Sequence, residues 1–307
     1  MPRIRTLMRW TAWSAGAGGQ SSLGTGWLGR HLAAVNTGNE SPLRAVGMGS
    51  ILQAALRGPV TVTALQSIAD FHLKGRAQEL PVVQQALLSL YTGDGTSEGD
   101  EESSAVAQRR TLRELDTTLK LLSQLDATHY QPAHGARYPD TDFGLGLMQV
   151  AQLIKAEVGL EVACLDIGGW DTHAHQGAAH GELADLLGEL AQGMAALFAD
   201  LGDGMKKVTV VTMSEFGRRA QENGSGGTDH GHANAMFLMG GGVVGGKVHG
   251  EWPTLAPDKL TGPGDLAMTT DYRDVLSEVL NKRLGNANVE AVFPGFTPTP
   301  TYRGVIN

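Results

Sequence analysis

Five of the ten histidines in this 307-residue chain, at positions 173, 175, 180, 230 and 232, fall inside one 60-residue stretch, with acidic side chains interleaved. The first group reads Asp166-Ile167-Gly168-Gly169-Trp170-Asp171-Thr172-His173-Ala174-His175. If it runs extended, Asp171, His173 and His175 project to one side and Trp170, Thr172 and Ala174 to the other. The second group is Ser214-Glu215-Phe216-Gly217-Arg218-Arg219, and the third is Asp229-His230-Gly231-His232. Imidazoles mixed with carboxylates suit a divalent ion, Zn²⁺ or Mn²⁺ first and Ca²⁺ or Mg²⁺ as alternatives, which could polarise an ester oxygen or acidify a bound water. The expected ligands are Asp171, His173, Glu215 and His230, with His175, Asp229 and His232 as secondary candidates. Arg218 offers a planar fork for phosphate, sulfate or carboxylate at the same place. Plainer roles compete: a lone histidine at a strand end usually hydrogen-bonds backbone, Glu215 could accept from N–H groups in its turn, and Arg218 could pair with a surface carboxylate. No nucleophile can be named.

These groups need elements that bring them together. Leu147, Val150, Ala151, Ile154 and Val158 lie on one face of a helix that starts near Phe143 and stops near Gly159. Val162-Ala163-Cys164-Leu165 follows as a short buried strand, then a loop, then a helix over Glu182 to Leu201 ended by Gly202 and Gly204. Val208 to Met213 is a β-branched strand. A strand, helix, strand unit implies parallel neighbours with a right-handed crossover, and ligands gather outside the carboxyl ends of such strands. The loops after residues 165 and 213 should therefore meet. For His230 to reach that edge, the strand over Ala235 to Met239 must run antiparallel to the other two.

Upstream, the pattern gives a helix from Trp27 to Val35, short strands over Arg44 to Met48 and Val60 to Leu65, and a helix over Gln78 to Tyr91. A longer helix over Ala105 to Leu125 carries a stripe of Leu112, Leu115, Leu119, Leu122 and Leu125. Residues 1–26 read as an irregular lead-in, and 27–307 as a single domain with an acidic surface loop at 93–102. The run Gly240 to Gly246 lacks the spacing of a dinucleotide or phosphate loop and leads into Lys247 to Trp252, which reads as a strand, so a tight turn between strands is expected.

Composition narrows the class. With 41% hydrophobic residues the chain can bury a full core, and 42 glycines imply many tight loops. The formal charge is −8, but Asp94, Glu98, Asp100, Glu101 and Glu102 supply five of those charges, so the rest carries −3. Nothing here suits nucleic acid. One cysteine, Cys164, excludes a disulfide framework and a thiolate zinc site. Neither a membrane span nor a signal peptide is visible, which places the chain as written in the cytoplasm.

The order Gly168-Gly169-Trp170-Asp171-Thr172-His173, Thr212-Met213-Ser214-Glu215-Phe216-Gly217-Arg218, Asp229-His230 and Gly240 to Gly246 resembles the DUF1501 family, as does Thr25-Gly26-Trp27-Leu28-Gly29-Arg30. The resemblance implies kinship with the alkaline phosphatase and sulfatase superfamily. It thus implies a three-layer α/β/α sandwich with a mostly parallel sheet, and metal-dependent hydrolysis of a small phosphate or sulfate ester. It matches Asp171, with His173 or His175, to one group of ligands, Glu215 to a carboxylate after a strand, and His230 to a late histidine. Phe216 stands where the wider superfamily commonly has a histidine. The superfamily's opening strand ends in a metal-binding Asp, whereas residues 1–39 here contain no acidic side chain. The expectation is a missing N-terminal strand and impaired hydrolysis, the alternative being a non-catalytic protein that binds an anionic ligand or a protein partner. Relatives commonly begin with an export signal, which would place a longer form in the periplasm or outside the cell.

Overall fold

The computed structural model describes residues 24–68, 130–299 and 303–307, with Val82, Ala86, Thr117, Thr118, Leu121 and Leu125. The helix expected over Gln78 to Tyr91, the acidic loop at 93–102, nearly all of the helix over Ala105 to Leu125 and most of the lead-in lie outside the described residues.

The fold is α/β. Helix α1 (Trp27–Ala34) buries Trp27, Leu28, His31 and Leu32, the one-sided spacing of an amphipathic helix. Strand β1 (Ala45–Met48) is buried throughout and sits centrally, with β2 (Thr63–Leu65) on one side and β3 (Val162–Leu165) on the other, both parallel to it. Strand β1, buried on both faces, reads as a continuous apolar run, as central parallel strands do. Helix α2 (Asp142–Lys155) precedes β3, its first turn capped by the Thr141 hydroxyl accepting from the Gly144 N–H. It packs on α3 (Glu182–Leu201), where Gly193 is required: a Cβ there would come within 2.7 Å of the Phe143 ring.

Strand β4 (Thr209–Val211) pairs antiparallel with β7 (Leu238–Gly240), the orientation expected for the chain leaving His230. The expected ladder between β3 and β4 is not formed. The parallel partner of β3 is β1, and β3 and β4 meet through side chains. Cys164 and Val211 pack into one cluster, and Leu165, Val208 and Val210 into another. Both strands pack against the same hydrophobic clusters, while the three residues of β4 pair with β7. A second antiparallel pair, β5 (Gly217–Arg218) with β6 (His230–Gly231), stands apart.

Lys247 to Trp252 is not a strand, and Val248 is 95% exposed. Gly240 to Gly246 is correspondingly not a turn between strands. Val244 donates to Val305 O and Asn307 to Gly242 O, so the segment docks the C-terminus. Helix α4 (Tyr272–Leu284) secures the same end: fully buried Glu278 accepts from the N–H groups of Gly304, Val305 and Ile306. A final short helix, α5 (Val289–Val292), packs against α1, with Phe293 stacked on Trp27 at 6.0 Å. Among the described residues, no helix is long and apolar enough to cross a membrane.

Candidate metal centre

The loop after β3 does not run extended. Thr172 N–H donates to Trp170 O and His173 N–H to Asp171 O, two successive three-residue turns. They turn Thr172 inward to 3% exposure, where its hydroxyl donates to Gln176 Oε1, and leave Asp171 and His173 facing outward. At His175 the backbone turns left-handed, φ 51°, and its N–H donates to Ser225 O. His175 therefore leaves the row that simple alternation assigned to it.

The third segment closes on the first. Gly227 lies so near the turn that a Cβ would meet the His173 carbonyl carbon at 2.3 Å and Thr172 O at 2.5 Å. Asn223 joins the two: its Nδ2 donates to His173 O and Asp229 Oδ1, and its Oδ1 accepts from the N–H groups of Ser225 and Gly227. The β5–β6 pair then sets His230 opposite Arg218.

Asp171, His173 and His230 each offer a ligand atom, and these atoms lie within 4.8 Å of one another. His230 Nε2 is 2.5 Å from Asp171 Oδ1, and His173 Nε2 is 3.1 Å from the same oxygen. The opposite nitrogen of His173, Nδ1, is 3.2 Å from Asp229 Oδ1. Phe216 stacks on the His230 imidazole at 4.1 Å and carries the Arg218 guanidinium on its ring at 4.7 Å. Burial raises the Asp171 carboxyl. The hydrogen bond from His230 and the charges of His230, His173 and Arg218 outweigh that, leaving it below the ordinary carboxylate value. Asp229 is also lowered, by hydrogen bonds from Asn223 and His173.

Arg218 approaches Asp171 Oδ1 to 3.6 Å, but its two terminal nitrogens donate to Thr228 O and Trp170 O. It acts first as a clasp between the two ligand-bearing loops. Glu215 stays out of the group and makes no side-chain hydrogen bond or ion pair among the described residues. The ring against His230 belongs to Phe216, and Glu215 lies in the bend before β5. Asp229 lies behind His173, and His232 pairs elsewhere, Nδ1 to Asp265 Oδ2 at 2.8 Å. Sequence reasoning missed Asn223, Gln176, Arg219 and Asp265. Asn223 alone left a signal, an Asn in a glycine-rich loop where Asx turns are common.

A family model described as "Protein of unknown function (DUF1501)" matches residues 6–292, nearly the whole chain and all of this site. The chain belongs to the DUF1501 family. No curated protein and no solved structure matches it. The cluster is thus a feature of a DUF1501 chain, with its chemistry to be argued from its own residues.

Proposed function

We propose that this DUF1501 protein is a metal-dependent hydrolase of small phosphate or sulfate esters, built on the three-layer α/β/α sandwich of the alkaline phosphatase and sulfatase superfamily. The observation that carries this is the convergence of Asp171, His173 and His230. One carboxylate and two imidazoles suit a borderline divalent cation such as Zn²⁺ or Mn²⁺, with bonds of roughly 2 Å. Asp229 supports the fit, because a carboxylate on the far nitrogen of a ligand histidine fixes its tautomer and orientation. A cation held there would polarise an ester oxygen. Arg218 keeps the loops of Asp171 and His230 together, and Phe216 holds the His230 ring flat.

A second reading, a non-catalytic protein that binds an anion, draws on the hydroxyls around the cluster. Thr172 donates to Gln176 Oε1, Thr228 does the same, and Ser214 donates to Phe216 O. Each is engaged as a donor, so none is poised to attack. Hydrolysis of aryl phosphates and aryl sulfates with added Mn²⁺ or Zn²⁺ separates the two. Turnover abolished by Asp171→Ala and by His230→Ala supports the hydrolase. Bound metal without turnover supports the second reading.

A further inference from the structure

Two arginines follow each other at the end of β5, Arg218 within it and Arg219 just beyond, and they are held in opposite ways. Both terminal nitrogens of Arg218 are tied to carbonyls, and its side chain is 22% exposed. Among the described residues, Arg219 makes no side-chain hydrogen bond. Its NH1 lies 3.8 Å from Asp229 Oδ2 and its Nε 3.5 Å from Asp265 Oδ1, distances of ion pairing without donation. Its side chain is 36% exposed. Asp265 is 5% exposed, and its Oδ1 has no hydrogen-bond partner among the described residues.

The guanidinium is not needed to hold these segments. Arg219 N–H donates to Asp229 O, Ala220 N–H donates to Gly264 O, and Arg219 forms an antiparallel bridge with Asp265. Backbone closes the join. Asp229, the carboxylate nearest Arg219 NH1, is the same one that touches His173 Nδ1, so the guanidinium stands next to the ligand cluster through one shared side chain. We infer that Arg219, and not Arg218, is the residue that recognises the oxyanion of the ligand, and that it does so only after a divalent cation has entered the cluster.

The order follows from charge. Asp171, Asp229, Asp265 and Glu215 face Arg218 and Arg219, four carboxylates against two guanidiniums. A group so charged attracts a divalent cation and repels sulfate. Once a cation neutralises the excess, the donors of Arg219 can turn from two loosely held carboxylates to an oxyanion, which accepts two parallel N–H bonds from a guanidinium. This rests on the metal reading above.

The test is calorimetry on the full chain, first with Mn²⁺ alone and then with inorganic sulfate, with and without saturating Mn²⁺. Sulfate should bind only the Mn²⁺-loaded protein. Arg219→Ala should weaken sulfate at least about tenfold while the protein still takes up Mn²⁺, as expected for loss of charge-assisted hydrogen bonds. Arg219→Lys, which keeps the charge and loses the fork, should restore only part of that affinity. Unchanged sulfate affinity in both variants, or equal binding without Mn²⁺, overturns the inference. Failure of the wild-type chain to bind Mn²⁺ overturns the metal reading and this inference with it.

Discussion

Gly227→Ala separates the geometry of the metal centre from the stability of the protein. The added Cβ would meet His173 C at 2.3 Å, His173 O at 2.4 Å and Thr172 O at 2.5 Å, against ordinary contacts of 3.4–4 Å. All three neighbours are backbone, so no rotamer change relieves the clash, and the two loops must part by about 1 Å. That movement separates His173 from Asp229 and His230, which sit on the Gly227 side of the join, while none of the four core clusters contains a residue of either loop. The expected cost in stability is about 1–3 kcal/mol, in the range of overpacking. Affinity for Mn²⁺ should fall about tenfold or more, as when ligand-orienting contacts are lost. Gly188→Ala is the control: it lies on α3 with nothing within 4 Å of the new Cβ, and should stabilise the helix by about 0.5–1 kcal/mol with Mn²⁺ binding intact. Urea unfolding gives the first quantity and calorimetry the second. A Gly227→Ala protein that folds and binds Mn²⁺ like the wild type would refute the idea that the 172–173 and 226–230 loops jointly build the site.

Two further predictions concern the supports of the fold. Burial raises the Glu278 carboxyl, but hydrogen bonds from Lys282, Ile306 N–H and Val305 N–H outweigh it and bring it below 4.5. Its contribution to stability is therefore complete above the ordinary carboxylate value and is lost as pH falls through the lower folded value. Glu278→Gln should lower the urea midpoint at pH 7 and approach the wild type as the pH falls below the ordinary carboxylate range, whereas a pH-independent gap would contradict the role of the charge. Asp200, 1% exposed, accepts from Tyr130 and Tyr138 hydroxyls, Ala133 N–H and Lys155 Nζ. Asp200→Ala should cost about 3–5 kcal/mol in urea unfolding, because Lys155 and two tyrosines lose a shared partner; a loss below about 1 kcal/mol would sink that account.

Local signals carried much of the fold. Val162 to Leu165 and Glu182 to Leu201 have the bounds the sequence indicates, because an apolar run fenced by Gly159 and Gly168, and a stripe closed by Gly202, are decided within a few residues. Lys247 to Trp252 alternates like a strand yet pairs with none of the described strands, and pairing is a long-range fact. The same distinction runs through the site. Asp171, His173 and His230 were legible by residue type and position at strand exits. The loss of His175 depends on a left-handed residue, and that of Glu215 on which neighbour faces His230. Arg219 and Asp265 acquire meaning only through partners brought close by folding. Arg218 stands beside Asp171, but its ties to Trp170 O and Thr228 O, invisible in sequence, make it a clasp before anything else.

The central claim is that Asp171, His173 and His230 together hold one divalent cation. Metal content of the purified chain after equilibration with Mn²⁺ or Zn²⁺, measured by mass spectrometry beside the variants Asp171→Ala, His173→Ala, His230→Ala and Glu215→Ala, tests it most directly. About one ion per chain is expected in the wild type and in Glu215→Ala, and its loss in each of the other three. Metal retained by the three cluster variants, or absent from the wild type, would contradict it.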